Sequence, residues 1–395
     1  MSAKLAASSA AAAVAALVAR RYVDAQRPPR ILHAGTPFLR RVVAALGELL
    51  RVGRAPSAFE LNGLLSTVSI VLRLPPLRWP GDVCEQELTL DDGGLVRLTW
   101  SLPAEGRAAA GAVLVLPGLN NSSGWAFVRH CMARLSADGF AACCLDYRGV
   151  GGLPLKSGRL GAMDSWRDLA QVLEAVRRGP PGRASGLPLF ALGFSMGGLM
   201  LAKHLSTGRG PPVRAAATVS SPLEPLASVA CFEGSLAFRA VNAATTQGLK
   251  LNFLAGWAHH ASTRRHVAAA IDWHALLTAC SLREAEEALL CPLHGYEDAN
   301  AYYRACTPDI EAIATPLLVI HAEDDPVIGL SSVPLARLAQ NPHVLTVVTP
   351  RGGHLGYGAA DGALPCAPSW SDELVARWFA AVDADAAPRA PSARL

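Results

Sequence analysis

The chain has 395 residues, 51% of them hydrophobic and 17% charged, with a formal net charge of +4. That composition belongs to a well-buried globule and excludes an intrinsically disordered chain, and the length allows one large α/β domain with an insertion, or two domains. The basic residues are mostly arginine without interleaved aromatics, which argues against nucleic-acid binding; the nine cysteines form no Cys-x-x-Cys pair, which argues against a metal site and suits reduced, mostly buried thiols.

In chain order, Leu5–Ala19 is an Ala-rich apolar run with Lys4 before it and Arg20-Arg21 after it. Roughly 20 apolar residues are needed to span a bilayer. Residues 1–25 therefore read as an N-terminal anchor or targeting segment, with a single-pass membrane anchor, a secretory signal, an organellar transit peptide and an ordinary exposed helix of a cytoplasmic protein all open. Residues 1–80 carry eleven Lys/Arg against three acids, a net of +8, and the remainder carries about −4. A basic arm beside an anionic membrane surface fits this asymmetry. Residues 26–80, with an amphipathic stretch from Pro37 to Val52 and an apolar one from Leu61 to Leu74, read as a helical extension packed outside the main sheet.

Residues 81–382 read as one α/β domain. Cys84 to Trp100 alternates polar and apolar around Asp91-Asp92-Gly93-Gly94, which predicts a β-hairpin. Six apolar strands follow, at Gly111–Pro117, Gly139–Leu145, Leu189–Leu192, Arg214–Ser220, Pro316–His321 and His343–Thr349, with helical stretches between most of them. That rhythm predicts a mostly parallel sheet flanked by helices on both faces, with functional residues at the carboxyl ends of the strands. Between about residues 222 and 315 the rhythm stops and the pattern turns helical, so this insertion reads as a cap over the site. Leu251-Asn252-Phe253-Leu254 and Trp257 are candidate walls of an acyl channel, and each equally fits the core of the cap. Residues 383–395 read as a flexible tail.

The chemistry centres on Leu189-Phe190-Ala191-Leu192-Gly193-Phe194-Ser195-Met196-Gly197-Gly198. A buried strand, a Gly-x-Ser-x-Gly turn and a helix form a nucleophile elbow, with Ser195 exposed at the sheet edge. Gly193 and Gly197 are required where side chains would clash between strand and helix. A serine nucleophile needs a base, and the base an orienting acid. His354, in Arg351-Gly352-Gly353-His354-Leu355-Gly356 after the last strand, is the candidate base. The acid comes from Glu323-Asp324-Asp325-Pro326; Asp325 is assigned, with Asp324 as the alternate. The backbone amides of Met196 and Leu119 are the candidate oxyanion donors, the second from the loop Pro117-Gly118-Leu119-Asn120-Asn121.

These residues, taken together, resemble an α/β-hydrolase of the AB-hydrolase-domain 1/2/3 and YheT-like group (AB hydrolase 4 family), over about residues 28 to 380. The resemblance is carried by Asp92-Gly93-Gly94 with Trp100, Leu116-Pro117-Gly118-Leu119, Asp146-Tyr147-Arg148-Gly149-Val150-Gly151-Gly152, Gly295-Tyr296 with Tyr302-Tyr303-Arg304, Asp324-Asp325-Pro326, and Gly352-Gly353-His354-Leu355-Gly356. It implies the α/β-hydrolase fold with a helical cap and a membrane-associated serine hydrolase acting on acyl esters of lipids, with no cofactor. Acyl transfer, thioester cleavage and a catalytically silent binding protein are the alternatives. Departures from the group are Asn120-Asn121 for Thr-Gly, Asp146 for asparagine, and Asn62-Gly63-Leu64-Leu65-Ser66-Thr67 for Asn-Gly-His-Leu-Gln-Thr; they touch substrate shape and leave Ser195, Asp325 and His354 in place.

Overall fold

The architecture follows from strands whose residues are all buried. In the computed structural model β1 spans Arg30–Leu32, β2 Val83–Thr89, β3 Leu95–Ser101, β4 Ala112–Leu116, β5 Ala141–Asp146, β6 Leu189–Phe194, β7 Ala215–Val219, β8 Leu317–Ala322 and β9 Val344–Thr349. Every residue of β4 to β9 is buried, as a sheet covered on both faces demands. The sheet order is β1-β9-β8-β7-β6-β4-β5-β3-β2. Neighbours from β9 across to β5 are parallel, while β1, β3 and β2 pair antiparallel at the edges. The structure describes residues 15–51, 58–76, 79, 81–105, 107–180, 186–234, 239–258, 267–358 and 368–386.

The helices are α1 (residues 15–25), α2 (Pro37–Leu46), α3 (Glu48–Arg51), α4 (Gly63–Leu72), α5 (Ala126–Ala137), α6 (Leu169–Arg178), α7 (Met196–Ser206), α8 (Pro225–Glu233), α9 (Arg239–Ala258), α10 (residues 267–270), α11 (Trp273–Thr278), α12 (Leu282–His294), α13 (Ala299–Cys306), α14 (Leu335–Gln340) and α15 (Trp370–Ala386). Period-2 alternation sends side chains to two cores. Ala112, Leu114 and Leu116 of β4 join α6, α7 and the helices between β7 and β8. Val113 and Val115 join α2, α5 and α15 on the other face. There Phe190 packs between Phe140 and Phe379, at centroid distances of 5.3 and 5.2 Å.

Two expectations are corrected. Residues 26–80 do not all lie outside the sheet: Ile31 pairs with Val347, making Arg30–Leu32 an edge strand. Three residues are too few to show a period of two. Asp383–Ala386, read as the start of a frayed tail, are helical; Arg214 pairs with Asp383, and Arg41 grips Asp385 at 2.6 and 2.9 Å. Much of the Leu5–Ala19 run lies outside the described residues, and among the described residues no helix is long and apolar enough to cross a membrane.

Candidate active site

The elbow is a strained turn held from several sides. Ser195 joins β6 to α7 with φ 49° and ψ −118°, a left-handed region costly for a residue with a Cβ. Its N–H donates to Val219 O at 2.9 Å, and its carbonyl accepts from Gly198 N at 3.0 Å and Leu199 N at 3.2 Å. A Cβ on Gly193 would run into the backbone of Gly197 and Gly198, and one on Gly197 into the carbonyls of Leu116 and Pro117. Gly198 is a third required glycine, because a Cβ there would meet Ser221 Oγ.

Ser195, His354 and Asp325 come together from three strand ends. His354 Nε2 lies 3.0 Å from Ser195 Oγ, and His354 Nδ1 lies 3.0 Å from Asp325 Oδ2. The other carboxylate oxygen of Asp325 accepts from the amides of Val327 and Ile328 at 2.8 and 2.9 Å, which fixes its direction. With Nδ1–H donating to the buried Asp325, Nε2 is left as the acceptor facing the serine hydroxyl. Asp324 turns elsewhere: its Oδ1 accepts from Gly353 N at 2.9 Å, and burial pushes its carboxyl up despite Arg351 at 3.6 Å. Glu323 faces outward toward Arg27. His321, buried at the end of β8, is pushed down to about 4 by burial and is neutral at physiological pH.

Leu119 and Met196 line the same cavity as Ser195 and His354, a space of about 260 Å³. Gly118 passes so close that an added Cβ would sit 3.3 Å from Ser195 Cβ. Three side chains brace this loop. Tyr147 Oη donates to Pro117 O at 2.8 Å. Asp146 accepts from Ser123 N at 2.6 Å and Ser123 Oγ at 2.8 Å, and burial raises its pKa. Asn120, at φ 64°, donates from Nδ2 to Thr245 O at 2.9 Å and accepts from Asn252 Nδ2 at 3.1 Å. Asn120 thus ties the loop to α9.

The rest of the cavity wall is mainly apolar and comes from α4, α8, α9 and α12. Ile70, Val71, Val229, Phe232 and Val241 are among its apolar residues, with Phe127 of α5. Among the described residues Glu286 is the one carboxyl lining it; Tyr303 Oη donates to it at 2.5 Å, and burial lifts it to about 8. Of the two readings open for the α9 residues, channel wall or packed core, the structure shows the core. Phe253, Trp257 and Trp273 pack on one another at ring-centroid distances of 5.1 to 6.2 Å as core, Leu254 packs against that core, Leu251 is exposed, and Asn252 serves Asn120. Sequence reasoning also missed Thr67, whose Oγ1 accepts the backbone N–H of His354 at 2.9 Å. Thr67 closes the Asn62–Thr67 stretch, at a position where this chain keeps the threonine of the group's pattern.

A family model, Hydrolase_4, described as serine aminopeptidase S33, matches residues 107–355. Among similar proteins, the embryogenesis-associated protein EMB8 of Picea glauca is 28% identical over 316 residues, covering 76% of this chain and 67% of its own. Phospholipase ABHD3 of Mus musculus is 27% identical over 334 residues, covering 82% and 77%. The medium-chain fatty acid ethyl ester synthase/esterase 2 of Saccharomyces cerevisiae is 27% identical over 290 residues, covering 69% and 62%.

Proposed function

The chain belongs to the Hydrolase_4 family, and from that premise we propose that it is a serine carboxylester hydrolase acting on acyl esters of lipids at a membrane surface. One observation carries this reading: the Asp325–His354–Ser195 hydrogen-bond chain ends at a cavity walled by apolar side chains.

Ser195 Oγ attacks the ester carbonyl as His354 Nε2 takes its proton, and Asp325 steadies the imidazolium that forms. The Leu119 and Met196 amides stabilise the oxyanion. Collapse expels the alcohol, which takes the proton from His354, and leaves an acyl group on Ser195. Water, deprotonated by His354, then attacks this acyl-enzyme and releases the acid. Because Asn120 holds the residue beside Leu119 against α9, Asn120→Ala should lower kcat about tenfold with KM nearly unchanged, since the oxyanion exists only in the transition state. Michaelis parameters on a p-nitrophenyl ester check this; a change confined to KM would contradict it.

An ester with an apolar acyl chain suits the cavity better than a peptide with a free amino terminus. An α-ammonium needs a fixed negative charge, and Glu286 is drawn toward its neutral form by burial. The names of the mouse and yeast relatives, a phospholipase and a fatty acyl ester enzyme, support the same substrate class. The membrane reading rests on α4, an inverted amphipathic helix. Gly63, Ser66, Ser69 and Ile70 face inward, whereas Leu64, Leu65, Val68, Val71 and Leu72 are exposed. Val71, 68% exposed, also lines the cavity, so this apolar face borders the site. It lies within the segment of net charge +8, which suits anionic lipid.

Each buried CH₂ contributes about 0.8 kcal/mol. Activity on p-nitrophenyl esters from acetate to palmitate should therefore show kcat/KM rising with acyl length until the cavity is full. A steady fall from acetate upward would overturn the lipid reading and leave a small-ester hydrolase.

A further inference from the structure

The loop that carries His354 is held largely by residues outside the loop itself. Gly352 and Gly353 precede the histidine at φ 153° and 53°, and Leu355 follows at φ 65°, a conformation uncommon for a branched side chain. Besides Asp324 on Gly353 N, bracing comes from residues 60–74, a stretch outside the family match of residues 107–355. Glu60 Oε1 accepts from Gly358 N at 2.9 Å, and Arg73 donates to Tyr357 O at 2.8 Å. A Cβ on Gly353 would strike Gly63 O, one on Gly356 would strike Ser66 O, and one on Gly63 would strike Asp324 O. Helix α4 thus lies against both the acid loop and the histidine loop with no room for a side chain between.

Within that contact one hydroxyl reaches the base directly. Thr67 Oγ1 accepts the His354 backbone N–H at 2.9 Å and donates to Gly63 O at 2.7 Å, so its proton is committed to its own helix and its lone pair to the histidine. Thr67 also lines the cavity beside Ser195.

We infer that Thr67 is a positioning residue for the base: α4 completes the catalytic site by pinning the His354 backbone so that Nε2 stays on Ser195 Oγ. The inference rests on the serine-hydrolase reading above. The amide it holds neither touches the substrate nor changes charge in the reaction, so losing it should lower turnover without weakening substrate binding. A displacement of about 1 Å at a reacting group can cost 10²-fold.

Thr67→Val keeps the shape and removes the acceptor; Thr67→Ser keeps the acceptor. In the full-length enzyme, with active sites counted by fluorophosphonate titration, Thr67→Val should lower kcat on a medium-chain p-nitrophenyl ester about ten- to a hundredfold, with KM within about twofold. Thr67→Ser should recover most of the loss. A helix that merely stabilises the fold would lower the melting temperature of Thr67→Val while leaving kcat per titrated site unchanged, and that result would overturn the inference. So would a Thr67→Ser variant as slow as Thr67→Val. If Thr67→Val does not fold, Thr67→Ala against Thr67→Ser makes the same comparison. Should wild type be active and Thr67→Val match it, only this inference falls. Should wild type neither react with fluorophosphonate nor turn over esters, the hydrolase reading falls and takes this one with it.

Discussion

Ser195→Ala is expected to reduce ester hydrolysis about 10⁶-fold, to the level that the oxyanion loop and substrate binding sustain alone. On the proposed mechanism the loss is not made good elsewhere, because His354 Nε2 is aimed at this hydroxyl, 3.0 Å away. The variant should remain folded. The turn at Ser195 is held through backbone groups, Ser195 N on Val219 O and Gly198 N on Ser195 O, and those bonds survive loss of the hydroxyl. Alanine adopts φ 49° at the same cost as serine. An unchanged melting temperature with lost turnover is the expected pair of results. Turnover near the wild-type rate in Ser195→Ala would place the nucleophile elsewhere.

Asp325→Asn should cost about 10⁴-fold in kcat, the size of loss seen when the triad acid of a serine protease is amidated. An amide NH₂ facing His354 Nδ1 forces the tautomer in which Nε2 carries the proton, and Nε2 then cannot accept from Ser195. His354→Ala should cost more, since the hydroxyl loses its base altogether. Asp324→Asn is the internal control. Its Oδ1 binds Gly353 N rather than the imidazole, and an amide oxygen can still accept that bond. Its effect should stay well below that of Asp325→Asn. The reverse order, measured on one ester under one set of conditions, would show that the wrong carboxylate has been assigned.

The parts legible in the sequence are those where one physical rule dominates. The six central strands are continuous apolar runs because helices cover both faces of the sheet. The elbow is legible because its glycines sit where strand, loop and helix backbones nearly touch. What stayed hidden depends on tertiary contact. β1 is three residues at an edge, too short for a pattern. Phe253 and Trp257 read as either channel wall or core because periodicity separates apolar from polar faces but cannot tell a cavity wall from the packing beneath it. Asp324 and Asp325 are adjacent and alike in sequence; only the path of the loop decides which meets the imidazole. Thr67 is 287 residues from His354 along the chain, and no local rule links an α4 hydroxyl to the amide of a distant loop. The contact of Asn120 with α9 is hidden for the same reason, with Thr245 125 residues away.

The assignment of Ser195 as nucleophile is tested most directly by which atom is covalently modified. Wild-type enzyme treated with a long-chain alkyl fluorophosphonate, digested and mapped by tandem mass spectrometry, should carry one adduct per chain, on Ser195 Oγ, and pre-incubation with a medium- or long-chain ester should slow its appearance. An adduct on a different serine, or no adduct in a preparation that still hydrolyses esters, would contradict the Ser195–His354–Asp325 assignment.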